Sequence, residues 1–345
     1  VLVREGRVVG EGFHRAYGGP HAEVEALARA GRRARGATAY ATLEPCSTAG
    51  KTGPCVEALA RAGVSEVVWA EPDPSARNGG RARGALARLG LRGRRGRSSA
   101  ATRALLSEFS RATALGRPWV LLKWAMSLDG RTSPGAGRGG RLSGDAASAW
   151  LHDLRARVEA VVVGRATVAS DDPRLTSRDG AGRARARQPL RVVFDSRLSL
   201  AEGSAVLETA SPAAPVLLAC GRAPKAARAR RLRPGVSVLE APGRDGRPDP
   251  ARVLRALSRL GVSRVLLEGG GRLAASFVRA GLVDQVACLA APVLLGGEDA
   301  PAPLSGTGVS DLLRAPRLAR LSARALGEDV LLEAFVSRPT AAGRS

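Results

Sequence analysis

Residues 21–55, HAEVEALARAGRRARGATAYATLEPCSTAGKTGPC, carry the pattern from which the rest of the chain can be laid out. Ala22, Val24, Leu27 and Ala28 recur at helical spacing and predict a helix that stops at Gly31. Ala37–Leu43 predicts a strand. A loop rich in Gly and Pro runs from Glu44 to Pro54, and Val56–Ala62 predicts a short helix ended by Gly63. Alternation of strand and helix is the pattern of an open sheet flanked by helices, so an α/β fold is expected.

The same stretch holds His21, Glu23, Cys46 and Cys55. One imidazole and two thiolates make three protein ligands for zinc, and a catalytic zinc keeps a fourth position for water. The metal makes that water acidic enough to react near neutral pH. A carboxylate that is not a ligand must then move the protons, and Glu23, two residues from His21 at a predicted helix start, is suited to that. Predicted helix starts near His21 and Cys55 also favour thiolate over thiol. A lone His or Cys would be read as a surface residue or a small buried hydrophobe; the ordered set favours the metal. A purely structural zinc would recruit a fourth Cys or His, and none lies close in sequence. H-x-E followed by P-C-x-x-C is the pattern of zinc nucleobase deaminases. Here eight residues instead of two separate the cysteines. The chemistry expected is hydrolytic removal of an exocyclic amine from an amino-pyrimidine. The activated water attacks the ring carbon bearing the amine. Glu23 relays its proton to a ring nitrogen and then to the departing amine, which leaves as ammonia.

Outward from this stretch, VLVREGRVVGEGF (residues 1–13) reads as strand, turn at Glu5-Gly6, and strand. A chain opening directly on a strand edge suggests that earlier residues are absent. On the other side, Val64–Ala70 predicts a strand, Ala82–Leu89 a helix, Arg92–Ser99 a polar loop and Ala101–Leu115 a helix. Gly116-Arg117-Pro118 breaks the pattern, which gives one domain over 1–115, a second over 116–338 and a disordered tail over 339–345. The second domain predicts strands at Trp119–Ala125, Ala160–Val163, Leu190–Asp195, Val216–Ala219, Val236–Leu239, Val262–Leu267, Val286–Leu295 and Val330–Val336. Helices are predicted at Asp145–Arg157, Pro250–Leu260 and Leu273–Ala280. Glu268-Gly269-Gly270-Gly271 joins a buried strand to a helix, where a phosphate could approach the helix start. A plain strand–helix connection fits that turn equally well. No G-x-G-x-x-G follows a strand as a Rossmann site would require.

The 345 residues suit two domains at about 150 residues each. Aromatics are only 3%, so the cores must be built from Ala, Leu and Val. The formal charge is +23. Such basicity suits a polyanion partner, or it is compositional bias. Bias is favoured: the arginines are scattered, and no basic tail or stripe interleaved with aromatics occurs. No nucleic-acid partner is therefore expected. No apolar run approaches the ~18 residues of a membrane span, and no secretory signal opens the chain. The four cysteines are too few and scattered for a disulfide framework, which suits a reducing cytoplasm.

HAEVEALARAG and ATLEPCSTAGKTGPC resemble the bifunctional deaminase/reductase family of riboflavin biosynthesis. The resemblance continues through EPDPSARNGG, LKWAMSLDGRT, GRATVASDDPRLTSR, RVVFDS, LLEGGGRLAASFVRAGLVDQV and APVLLGGEDAP, in the family's order and over nearly the whole chain. It implies a cytidine-deaminase-like three-layer α/β domain followed by an α/β domain resembling dihydrofolate reductase. The first would deaminate a diamino-pyrimidinone bearing a phosphoribosylamino group, with Zn2+. The second would reduce the ribosyl group to ribityl with NADPH. A homo-oligomer acting on a small molecule is implied, with no membrane involved.

Residue by residue, the resemblance implies zinc on His21, Cys46 and Cys55 and proton transfer by Glu23. It implies substrate contacts from Lys51, Lys123, Arg155, Leu175, Arg178 and Glu268. NADPH contacts are implied for Ala125, Thr167, Asp171, Ser196, Gly270, Gly271, Arg272, Leu273, Ala274, Ala275 and Ser276. The chain departs from the pattern in places. The family's initial helix and P-N-P-x-V-G segment do not precede Val1, Thr48 replaces a substrate-contacting His, and Glu25 replaces a second His. Arg141 stands where a Trp packs on the cofactor, and Gly139 where a Ser is usual. The competing readings are a nucleic-acid cytidine or adenosine deaminase, and a deaminase-like protein with an impaired site or reductase.

Overall fold

The first unit of the chain, Val1–Arg117, is organised by a mixed sheet whose centre is the strand ahead of the cysteine loop. The computed structural model describes residues 1–14, 19–49, 52–135 and 140–337. Lys51, Gly139 and the expected tail 339–345 lie outside the described residues.

The elements of this unit are β1 (Leu2–Arg4), β2 (Arg7–Gly10), α1 (Ala22–Ala30), β3 (Thr38–Leu43), α2 (Cys55–Arg61), β4 (Glu66–Glu71), α3 (Ala82–Arg88), β5 (Arg92–Arg95) and α4 (Ala100–Leu115). The sheet order is β2-β1-β3-β4-β5, with β1 antiparallel to β2 and β3, and β3, β4 and β5 parallel. Ala26 and Ala30 of α1, Val56 and Leu59 of α2, and Ala85 and Leu86 of α3 pack with Ala39, Val67 and Trp69 into one core. Small side chains let these helices lie close to the sheet. A Cβ on Gly10 would come within 2.4 Å of the Ala26 carbonyl oxygen.

The expected loop at 92–99 is corrected in part, since Arg92–Arg95 forms the edge strand β5. The segment is polar because an edge strand exposes its side chains. Arg94 pairs with Glu66 at 2.8 Å and Arg95 with Glu71 at 3.5 Å, while Gly93 fits against Leu86 and Trp69. Cross-strand charge pairs and one small inward residue replace the alternation that usually betrays a strand. Ser99 caps α4 through a reciprocal bond with Thr102, and Thr102 also reaches Glu71.

The second unit, Pro118–Ser345, holds β6 (Trp119–Ser127), α5 (Asp145–Arg157), β7 (Ala160–Gly164), α6 (Arg165–Asp171), β8 (Leu190–Phe194), α7 (Ala205–Glu208), β9 (Val216–Cys220), α8 (Lys225–Arg231), β10 (Val236–Glu240), α9 (Pro250–Arg259), β11 (Arg264–Glu268), α10 (Gly271–Arg279), β12 (Gln285–Ala291), β13 (Leu318–Leu326) and β14 (Asp329–Val336). Among the described residues they form one nine-stranded sheet, ordered β10-β9-β8-β7-β11-β6-β12-β14-β13. The seven strands from β10 to β12 are parallel, and β14 and β13 close it antiparallel. Both faces are covered. Val120 and Leu122 of β6 pack with α9 and α10, and Leu121 between them packs with α5, α6 and α7. A parallel sheet buried on both faces explains the unbroken apolar run Val161-Val162-Val163. One expectation needed correction here: Val286–Leu295 stops as a strand at Ala291. Leu318–Leu326, where no strand was predicted, forms the edge β13.

Candidate metal centre and cofactor cleft

His21 stands at the N-cap of α1 in extended backbone, and Cys55 is the first residue of α2. Cys46 follows β3 on the loop between them. The fold brings one ligand atom from each residue to within 4.8 Å of the others. His21 Nδ1 lies 3.5 Å from Cys46 Sγ and 3.3 Å from Cys55 Sγ, and the Cys55 backbone N–H donates to Cys46 Sγ at 3.2 Å. One nitrogen and two sulfurs, partly or wholly buried and mutually this close, suit zinc, which in a catalytic site takes a fourth, non-protein ligand.

The protonation pattern supports the same reading. The Cys46 thiol is held well below its usual range, first by the hydrogen bond from Cys55 and further by His21. Cys55 is pushed up, first by its bond to Cys46, then by burial and by the Glu23 carboxylate beside it. His21 is raised through its hydrogen bond to Cys46. Two sulfurs and a ring competing for protons in one small space are what a divalent cation would relieve. Glu23, the second residue of α1, lies beside Cys55 and is not one of the three converging groups.

Sequence reasoning missed several residues near the centre. His14 stacks edge-on against His21, ring centroids 5.2 Å apart, with its Nδ1 3.0 Å from the Pro20 carbonyl. Its scarcity was a usable signal, because the chain has only three histidines. Glu44 is 3% exposed, and its carboxylate accepts from the backbone N–H groups of Asp73, Gly80 and Ala82. Thr48, in the position of the family's His, donates to Asn78.

In the second unit, Lys123 on β6 and Glu268 on β11 are direct partners in the parallel register. Arg155 of α5 closes on Glu268 with two bonds of 2.7 Å and donates to the Thr176 carbonyl at 3.3 Å. Burial lowers the Lys123 pKa. Burial alone would raise Glu268, but Arg155 and Lys123 outweigh it and hold the carboxyl below its ordinary 4.5. Arg178 and His152 lie nearby, and each has a buried nitrogen, Nε and Nδ1, without a hydrogen-bond partner. Leu175, at a φ of 57°, is buried in the core.

A cavity of ≈ 1090 Å³ opens beyond the carboxyl ends of β7 and β8, beside the start of α10. Thr167, Ser196, Gly270, Arg272, Leu273 and Ser276 line it. Gly271 is walled by Ser305 and the Ala302 carbonyl, and Ala274 and Ala275 are buried residues of α10 outside the lining. Asp171 at the end of α6 and Ala125 on β6 are outside its lining. Arg141, in the position of the family's Trp, is half exposed and paired with Asp145. The cavity carries seven arginines against three aspartates. Sequence reasoning overlooked most of these arginines, since no single Arg stands out in so Arg-rich a chain.

Comparison with known proteins agrees with both halves. Residues 1–71 match the cytidine and deoxycytidylate deaminase zinc-binding region, and residues 118–332 match the RibD C-terminal domain. The riboflavin biosynthesis protein RibD of Actinobacillus pleuropneumoniae is 34% identical over 98% of this chain and 89% of its own length. That of Mycobacterium tuberculosis is 39% identical over 95% and 86%. Among solved structures, RibD of Acinetobacter baumannii superposes with a TM-score of 0.81 at 34% identity, covering 98% of this chain and 91% of that one. A deaminase/reductase from Thermotoga maritima gives 0.76 at 28% identity, with the same coverage.

Proposed function

This chain belongs to the RibD family of riboflavin biosynthesis proteins, and on that premise we propose that it carries out two successive steps on one small molecule. The first removes an amine from a diamino-pyrimidinone bearing a phosphoribosylamino group. The second reduces the ribosyl group of the product to ribityl. The observation that carries the reading is the convergence of His21, Cys46 and Cys55 with Glu23 alongside.

His21, Cys46 and Cys55 would hold the zinc, which when bound supplies an acidified water near neutral pH. Glu23 would move two protons in turn, the first from the attacking water to the ring nitrogen and the second from the hydroxyl of the tetrahedral adduct to the departing amine, which leaves as ammonia while the carbonyl forms. The position of His14 against His21 supports a role at the rim of the same pocket. Lys51, in the cysteine loop, is assigned to the substrate through the family pattern.

The cleft of the second unit would hold NADPH, which when bound would supply the hydride for reducing the ribosyl group. Gly270, Arg272 and Ser276 at the start of α10, together with Thr167 and Ser196, would hold its phosphates; the lining of the cavity supports this. Arg155, whose fork is engaged by Glu268, and Arg178 are assigned to the ribose phosphate region through the family pattern, where they would act by charge. Lys123 and Glu268, side by side on neighbouring strands, orient the sugar end. Asp171, Ala125, Gly271, Ala274 and Ala275 are assigned to the cofactor through the family pattern.

Among the described residues, no helix is long and apolar enough to cross a membrane. Two thiols as metal ligands support a reducing, cytoplasmic setting. Edge strand β13 exposes Leu318 and Leu321, which supports self-association. The test is a coupled assay on the pyrimidine substrate, following ammonia release and loss of nicotinamide absorbance. Absence of both in zinc-supplemented, folded protein would sink the proposal.

A further inference from the structure

We propose that Asn78 is a positioning residue for the metal centre, acting through the cysteine loop. Cys46 sits on a short loop whose two flanks are both fastened to one distant segment, residues 73–82. On the near side, Glu44 is buried and accepts three backbone N–H groups of that segment, from Asp73, Gly80 and Ala82, at 3.0–3.1 Å. On the far side, Asn78 Oδ1 accepts from the Thr48 hydroxyl at 2.8 Å and from the Ser47 backbone N–H at 3.3 Å. Arg77 adds a bond to the Ala49 carbonyl. The Cys46 sulfur is therefore suspended between two anchors on a common base.

That base is itself stiff. Ser75 N–H donates to Asp73 Oδ1 at 2.8 Å, and Asn78 N–H donates to Ser75 Oγ at 3.3 Å. Gly79 packs so tightly that a Cβ there would come within 2.5 Å of the Asp73 carbonyl oxygen. Glu44 fixes the start of the loop, but the loop beyond Cys46 depends on Asn78 and its neighbour. Groups that orient a ligand without touching the metal commonly set its affinity.

Only the amide oxygen of Asn78 is used toward the loop, and it is used twice as an acceptor. Asp in its place keeps both bonds, whereas Leu, of similar shape, keeps neither. The inference rests on zinc at His21, Cys46 and Cys55, and its readout is zinc affinity by chelator competition, independent of turnover. Asn78→Leu is expected to bind zinc about ten-fold more weakly than the parent, with unchanged far-UV circular dichroism, while Asn78→Asp stays near the parent. Thr48→Val removes a single hydroxyl and carries the test if Asn78→Leu folds poorly; a loss of about three-fold is expected. Parent-like zinc affinity in Asn78→Leu, or in Thr48→Val where the first is unfolded, overturns the assignment and leaves the deaminase reading intact. A loss in Asn78→Asp as large as in Asn78→Leu also overturns it. A parent chain that binds no zinc overturns the metal reading and this assignment together.

Discussion

At the residue scale the two sites use charge in opposite ways. The candidate metal centre gathers groups that compete for protons, and Glu23, the proposed proton carrier, stands beside them. Glu23→Gln keeps the shape and removes the base, so deamination is expected to fall about 10²–10⁴-fold with zinc retained. Ammonia release, read beside metal content, checks both halves of that statement. In the reductase site, Glu268 is a buried carboxylate matched by Arg155 and Lys123. Glu268→Gln leaves both cations buried without their counter-charge and is expected to destabilise the second unit by about 3–5 kcal/mol. Because the folded carboxyl sits below its ordinary 4.5, its contribution is full above that value and is lost as pH falls through the lower, folded pKa. Urea melts stepped from about pH 6 to about pH 3 should fall less steeply in Glu268→Gln than in the parent. Parallel curves would show that this carboxylate is not linked to stability.

At the element scale, the β11–turn–α10 unit decides how the cofactor cleft is shaped. Gly269 and Gly270 both take positive φ, 66° and 75°, directly ahead of the helix. A Cβ on Gly270 would come within 3.0 Å of Thr167 Oγ1, so the turn needs glycine for conformation and for space. Gly270→Ala is expected to cost about 1–2 kcal/mol and to raise the KM for NADPH, with deamination unaltered. Steady-state kinetics of each half-reaction tests it, and an unchanged KM would separate the turn from cofactor binding. Edge strand β5 makes a different point. RGRR at 92–95 has no alternation and reads as a loop, yet backbone pairing with β4 and two charge pairs make it a strand. Local pattern fails there because the side chains face solvent and contribute through their neighbours.

At the scale of the whole molecule, two units carry separate constellations, Val1–Arg117 the metal ligands and Pro118–Ser345 the charged cluster and the cleft. Lesions should therefore separate the steps. Cys46→Ala is expected to abolish zinc binding and deamination while NADPH oxidation persists on the deaminated intermediate. Lys123→Met is expected to do the reverse. Loss of both activities in either folded variant would contradict separate sites. Exposed Leu318 and Leu321 on β13 make self-association the expected state, which light scattering checks; Leu321→Lys should shift the protein toward monomer.

The convergence of His21, Cys46 and Cys55 was readable from residue identity and order alone, because zinc chemistry demands particular atoms and the chain supplies them within one short stretch. The buried parallel strands were readable for a similar reason, since burial on both faces enforces unbroken apolar runs such as Val161–Val163. What folding alone settled were the pairings between distant segments. Arg155 and Glu268 meet across 113 residues because strand register and helix packing put them together, and in an Arg-rich chain nothing local marks one arginine from another. The support of the cysteine loop by Asn78, 30 residues beyond Thr48, is of the same kind. A hydrogen bond between loops leaves no periodic trace along a sequence, so it becomes visible only once both backbones are in place.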